Sequence, residues 1–212
     1  MLKKLIPILL VFSVILCFVS CKNSKNSDTD TTRKIEKTNL KAENSKSYKF
    51  FEENFNSGEY TLTLSTKNGE NSEIITIGIN KEGVIYEDEI TGEAHETTIS
   101  VNGIRTVIIH HAQAYYTENY DASSVQPELF NAKDFVGKLY SSGTEIVDGK
   151  EYYLEQFSDE YGTLSYLFDG DNLAYMVKVT DEKSIYIQIS DLKHSFNESL
   201  INVPPTYELL DY

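Results

Sequence analysis

At 212 residues with a formal charge of -14, and with both of its cysteines in the first 21 positions, the chain is long enough for one domain with its own core. The acidic balance excludes a nucleic-acid partner, because phosphate binding needs a basic face. The cysteine positions exclude a disulfide framework and a thiol nucleophile in the body of the chain.

The amino terminus reads as an export device. Lys3 and Lys4 precede an apolar run from Leu5 to Val19, small Ser20 follows, and then Cys21. The stretch Phe18-Val19-Ser20-Cys21 resembles the end of a bacterial lipoprotein signal, although Phe18 stands where Leu is usual. The resemblance implies a diacylglycerol on the Cys21 thiol, cleavage after residue 20, and a mature chain held on the outer, extracytoplasmic side of the cell membrane. Cys17 is excluded from that role by bulky Leu16 before it. An uncleaved anchor is the competing reading, but the 17 residues from Leu5 to Cys21 include Pro7 and sit at the short limit of about 17 to 25 for a spanning helix.

Residues 21–45 are dominated by Lys, Asn, Ser, Thr, Asp and Glu, without apolar periodicity, and predict a disordered tether. Such a chain spans roughly 25 to 30 Å. Charge divides along the chain: residues 22–49 carry net +4 and residues 50–212 net -20. A basic tether lies well against anionic lipid while the acidic domain is repelled by it, although an acidic surface also serves ordinary solubility.

Residues 46–212 predict a single domain. Ser45 or Ser47 can cap a first helix whose Tyr48, Phe51 and Phe55 share a face before Gly58. Period-two alternation then takes over in Tyr60, Leu62 and Leu64, in Ile75, Ile77 and Ile79, and in short runs at 84–86 and 99–101, the last ending in Asn102-Gly103. Ile104 to Thr117 reads as one central strand, apolar on both faces in its first half. A second helix is predicted around Ala132 to Tyr140, followed by strands at 152–154, 164–168, 175–179 and 185–189. The fold class is therefore α+β and mainly antiparallel, an eight- or nine-stranded meander whose apolar face needs helices to cover it.

The carboxyl-terminal pattern adds a resemblance. Asp191-Leu192, then Phe196, Leu200 and Ile201, then Val203-Pro204 to Tyr207, is similar to the closing pattern of the LolA, RseB and LppX group of bacterial envelope proteins. Over residues 48–212 this implies a curved sheet or half-barrel with two or three short helices on its concave face. It also implies binding of a lipid, acyl chain or lipoprotein, and brings no catalytic residues with it.

Chemistry-bearing motifs are sparse. Gly78 to Gly83 has the first spacing of a phosphate-binding loop, but Val84 stands where Lys is needed. His110 and His111 attract attention as imidazoles, yet neighbours on a strand point to opposite faces, and no Cys or acidic spacing nearby completes a coordination shell. His95 and His194 stand alone in sequence. Asp169 and Asp171 flank Gly170 at a hairpin tip, where such residues cap turns, and Leu173 breaks a calcium pattern. The tyrosine doublets Tyr115-Tyr116 and Tyr152-Tyr153 suit strands.

The expectation is a tethered protein with no catalytic residues, metal or cofactor, whose ligand contacts cannot be assigned by residue. It binds an apolar ligand in a cavity of roughly 300 Å³ or more. The alternative is an envelope interaction or sensor module that binds a protein partner.

Overall fold

The computed structural model describes residues 31–68, 71–120, 130–159, 162–179 and 184–210. The predicted signal peptide (1–20), Cys21 and residues 22–30 lie outside the described residues. In chain order the elements are β1 (Thr31–Lys41), α1 (Lys46–Phe55), β2 (Tyr60–Asn68), β3 (Asn71–Ile79), β4 (Ile85–Thr91), β5 (Ala94–Val101), β6 (Ile104–Ile109) and β7 (Ala114–Asn119). There follow β8 (Leu139–Val147), β9 (Lys150–Asp159), β10 (Gly162–Asp169), β11 (Asn172–Val179), β12 (Ser184–Lys193) and β13 (Glu208–Leu209).

All thirteen strands form one sheet in the order β1-β8-β9-β10-β11-β12-β2-β3-β4-β5-β6-β7-β13. Neighbours are antiparallel except β13, which runs parallel to β7. The predicted strand class holds, but the count of eight or nine is too low. Three of the extra strands lack alternating apolar residues or are too short to show them. The fourth comes from the 104–117 run, which breaks into β6 and β7 at a 3-10 turn over His110–Ala112, with Gln113 left-handed at φ 50°.

β1 overturns the reading of residues 21–45 as wholly disordered tether. Thr31–Lys41 pairs antiparallel with β8 at the sheet edge, with two register shifts. An edge strand draws its order from backbone hydrogen bonds, so Lys-rich composition does not exclude it and indeed protects the edge from further pairing. Gly143 of β8 makes the approach possible, since a Cβ there would lie 1.9 Å from the Lys34 carbonyl oxygen.

α1 is the α-helix the capping pattern predicts. The Ser45 hydroxyl accepts from the Tyr48 amide at 2.9 Å, and Phe51 and Phe55 are buried. Ser45→Ala is expected to cost about 1 kcal/mol in urea denaturation, the usual loss for a removed cap. The second predicted helix reduces to a 3-10 turn at Ala132–Phe135, after which Leu139 and Tyr140 enter β8. Tyr140 faces the core through pairing with Phe157, so its apolar character belongs to a strand.

α1 covers one face of the sheet. There Leu62 pairs with Ile77 and Leu64 with Ile75, while Phe157, Tyr166, Met176 and Ile187 continue the same face through β9 to β12. The other face carries two clusters. One holds Leu154, Leu167 and Val177, all at 0% exposure. Beside it the Tyr186 hydroxyl of β12 donates to Glu145 of β8, although β9, β10 and β11 lie between those strands in the sheet order. The sheet therefore bends so that β8 and β12 meet over this cluster.

The second cluster on that face is covered by the segment after β12. Phe196, Leu200, Ile201, Val203 and Tyr207 cross β3 to β6 and pack on Val84, Tyr86, Ile99 and Ile108. Gly78 seats the start of this crossing, because a Cβ there would lie 2.6 Å from the Phe196 ring. The segment ends as β13, with the Glu208 amide on Gln113 and the Leu210 amide on Tyr115.

Candidate functional site

The polar constellation with the richest chemistry lies where this crossing segment ends. The β5–β6 hairpin turns at Asn102 and Gly103, both at positive φ (51° and 79°), and Val101 pairs with Ile104 across it. Counting equal steps outward sets His95 opposite His110, which follows the last residue of β6. The neighbouring β4–β5 hairpin pairs Asp88 with Thr97 on the same face.

These side chains form one connected network. His95 Nε2 lies 2.9 Å from Asp88 Oδ1, and the Thr97 hydroxyl lies 2.5 Å from that same oxygen. Thr97 Oγ1 is also 2.8 Å from His110 Nε2, and His110 Nδ1 is 3.1 Å from the Tyr207 hydroxyl. The two imidazoles stack, with ring centroids 3.8 Å apart and planes 15° from parallel. Burial lowers the His110 pKa, the adjacent His95 lowers it further, and Asp88 opposes both. One Asp oxygen and two imidazole nitrogens lie within 4.8 Å of one another, a donor set that can hold a metal ion.

A second constellation sits on the helix-covered face, where Glu87, Glu89 and Glu96 line up across β4 and β5. Burial raises the Glu87 pKa, with Arg105 acting against the rise, and burial followed by Glu73 raises that of Glu89. A third feature is a cleft of about 80 Å³ at the end of α1, lined by Phe55, Tyr60, Phe130 and Lys133 among others. The Tyr60 hydroxyl in its wall is buried and has no hydrogen-bond partner among the described residues.

The residues singled out in the sequence fall in different places. His110 joins the network and His111 is exposed, but both stand on a 3-10 turn and not on a strand, so the expected strand alternation is not what separates them. His194 is exposed after β12. Asp169 pairs with Lys150 and Asp171 with Lys46 at the tip of the β10–β11 hairpin, which accords with turn residues. Tyr152 is buried on the face opposite α1, and Tyr153 is half-exposed on the helix face. Cys21 lies outside the described residues. Sequence reasoning names His95 only as an isolated histidine and does not name Asp88 or Thr97, although the turn at Asn102-Gly103 holds the signal for the histidine pair.

No family model and no curated protein matches the chain. Among solved structures, the crystal structure of an uncharacterized conserved protein from Thermus thermophilus is similar at a TM-score of 0.49 and 8% identity, over 77% of this chain and 96% of that chain.

Proposed function

We propose that the protein is a lipid-anchored, extracytoplasmic interaction module, without covalent chemistry of its own, that meets an envelope protein on its surface. The anchor rests on Cys21 and the export pattern before it. The choice of surface over interior rests on one observation, the aromatic filling between α1 and the sheet. Phe51 alone meets the rings of Phe55, Phe130, Phe135 and Tyr166 at centroid distances of 5.0 to 5.8 Å.

A bound acyl chain needs a cavity on the order of 300 Å³ or more, and the described cleft is about 80 Å³. The carrier reading, in which a LolA-like half-barrel encloses a lipid, keeps one feature in its favour. That cleft opens among Phe55, Tyr60 and Phe130, directly onto the aromatic core.

Native mass spectrometry of the purified chain, with crosslinking in the intact envelope, separates the two. A surface module is expected to fly without bound lipid and to crosslink repeatedly to the same protein. Stoichiometric lipid, surviving purification, would overturn this reading in favour of a carrier. Cys21→Ala is expected to release the protein from the membrane fraction, and retention of that variant would overturn the anchor.

A further inference from the structure

We infer that Asp88, His95 and His110 form a binding site for a divalent transition-metal ion, and that the ion fastens the end of the crossing segment to the sheet. The site is independent of the interaction reading above. Its donor set of two imidazoles and one carboxylate suits zinc, cobalt, nickel or copper, whereas magnesium and calcium favour all-oxygen shells.

Two strands and the turn that closes a third deliver the three donors. His95 and Asp88 come from β5 and β4, and His110 from the turn immediately after β6, so the sheet fixes their Cα positions. His110 also has the outer partner that metal-bound histidines require. Its Nδ1 meets the Tyr207 hydroxyl, which orients the ring; binding moves the imidazole proton from Nε2 to Nδ1, where Tyr207 accepts it, and makes Nε2 the ligand atom. Nε2 in turn points toward Asp88, since the Thr97 hydroxyl bridges the two at 2.8 and 2.5 Å.

The stacking sets the one rearrangement that binding demands. Parallel rings 3.8 Å apart direct their in-plane lone pairs side by side, and metal–nitrogen bonds of about 2.0 to 2.1 Å need those directions to converge. Turning the His95 ring about its Cβ–Cγ bond achieves this, and for histidine that torsion is broad and soft. His95 has room to turn because its side chain is 36% exposed, which also supplies the path by which an ion enters. The hydrogen bonds exchanged are that between His95 and Asp88, that from the Thr97 hydroxyl to Asp88, and that from His110 Nε2 to Thr97, since the one Thr97 hydrogen goes to Asp88. A water completes a four-coordinate shell.

Such an ion would act on the tail through Tyr207. Tyr207 lies one residue before β13, whose Glu208 amide bonds Gln113 beside the site, and the Leu210 amide just after β13 bonds Tyr115. Holding His110 rigid thus holds the last part of the crossing segment.

The test is a Co²⁺ titration of the full chain in a Cys17→Ser, Cys21→Ser background, which removes both thiols, followed by Zn²⁺ displacement. A visible d–d band saturating at a single equivalent, lost on Zn²⁺ addition, is expected. His95→Gln and Asp88→Asn should each weaken binding by more than tenfold, and Tyr207→Phe by roughly tenfold as the loss of an outer partner. His111→Ala and His194→Ala should leave it unchanged. Zn²⁺ should also slow amide exchange at Glu208 and Leu210 in the parent and not in His95→Gln. Absence of a saturable band would overturn the proposal. So would equal Co²⁺ affinity in His95→Gln and Asp88→Asn variants whose circular dichroism matches the parent.

Discussion

Glu155→Ala is expected to destabilise the protein by about 4 kcal/mol, the range of a broken buried network. Glu155 is 1% exposed on β9, and its carboxylate accepts from the Lys46 amide at 2.8 Å, the Ser47 amide at 2.7 Å and the Ser47 hydroxyl at 2.6 Å. Both amides belong to the first turn of α1, where backbone N–H groups have no partner within the helix and the dipole favours a negative charge. Hydrogen bonds to a charged group contribute about 1.5 to 3 kcal/mol each, and a buried donor left alone costs about 1 to 3. Ser47 is itself fully buried, so water cannot replace what Glu155 supplies. Glu155→Gln keeps an acceptor but loses the charge, and about half the effect is expected. Urea midpoints followed by far-ultraviolet circular dichroism measure both, and a loss below about 1 kcal/mol for Glu155→Ala would contradict the account.

Arg33→Ala is expected to cost about 3 to 5 kcal/mol, because it leaves the Glu145 carboxylate buried without its cation. Glu145 is 1% exposed, and Arg33 reaches it through Nε at 2.9 Å and Nη2 at 2.7 Å, while Nη1 donates to Gln156 at 3.0 Å. The forked geometry is one that Lys cannot reproduce, so Arg33→Lys should recover only part of the loss. Replacing Arg33 and Glu145 together by Met should cost far less than Arg33→Ala, since removing both charges also removes their desolvation penalty. Hydrogen exchange locates the damage. Amides of β1 should lose protection in Arg33→Ala while those of β9 to β11 keep theirs, as expected for an edge strand that opens by itself. Uniform loss across the sheet would show that β1 is part of the global unit instead.

Both predictions concern contacts that sequence reasoning could not supply. Glu155 caps a helix that begins 109 residues earlier in the chain, and Arg33 meets Glu145 at a separation of 112. In the sequence each is one more charged residue in an acidic, Lys-rich protein. Burial changes the chemistry of both, and burial follows from which strands become neighbours.

The metal donors sit between those extremes. The turn residues Asn102 and Gly103 fix the β5–β6 register, and that register sets His95 opposite His110. The opposition is therefore legible in principle. Reading Ile104 to Thr117 as one continuous strand obscures it, because His110-His111 then becomes a strand pair and His95 stays isolated. Tyr207 is legible as part of a closing pattern, but its contact with His110 depends on the path of the crossing segment over β3 to β6.

The sequence by itself determined the strand-rich class and α1 with a cap at Ser45 or Ser47, and it alone carries the proposed export pattern ending at Cys21. Each rests on interactions among residues close together in the chain: an apolar run, period-two alternation, a hydroxyl three residues from its amide. The tertiary structure alone decided the thirteen-strand order, the inclusion of Thr31–Lys41 at the edge, the aromatic filling under α1 and the Asp88–His95–His110 cluster. The physical reason is that strand pairing is made by backbone groups every residue carries, so composition does not mark an edge strand. A polar side chain's role is likewise set by neighbours that arrive only when distant strands pair.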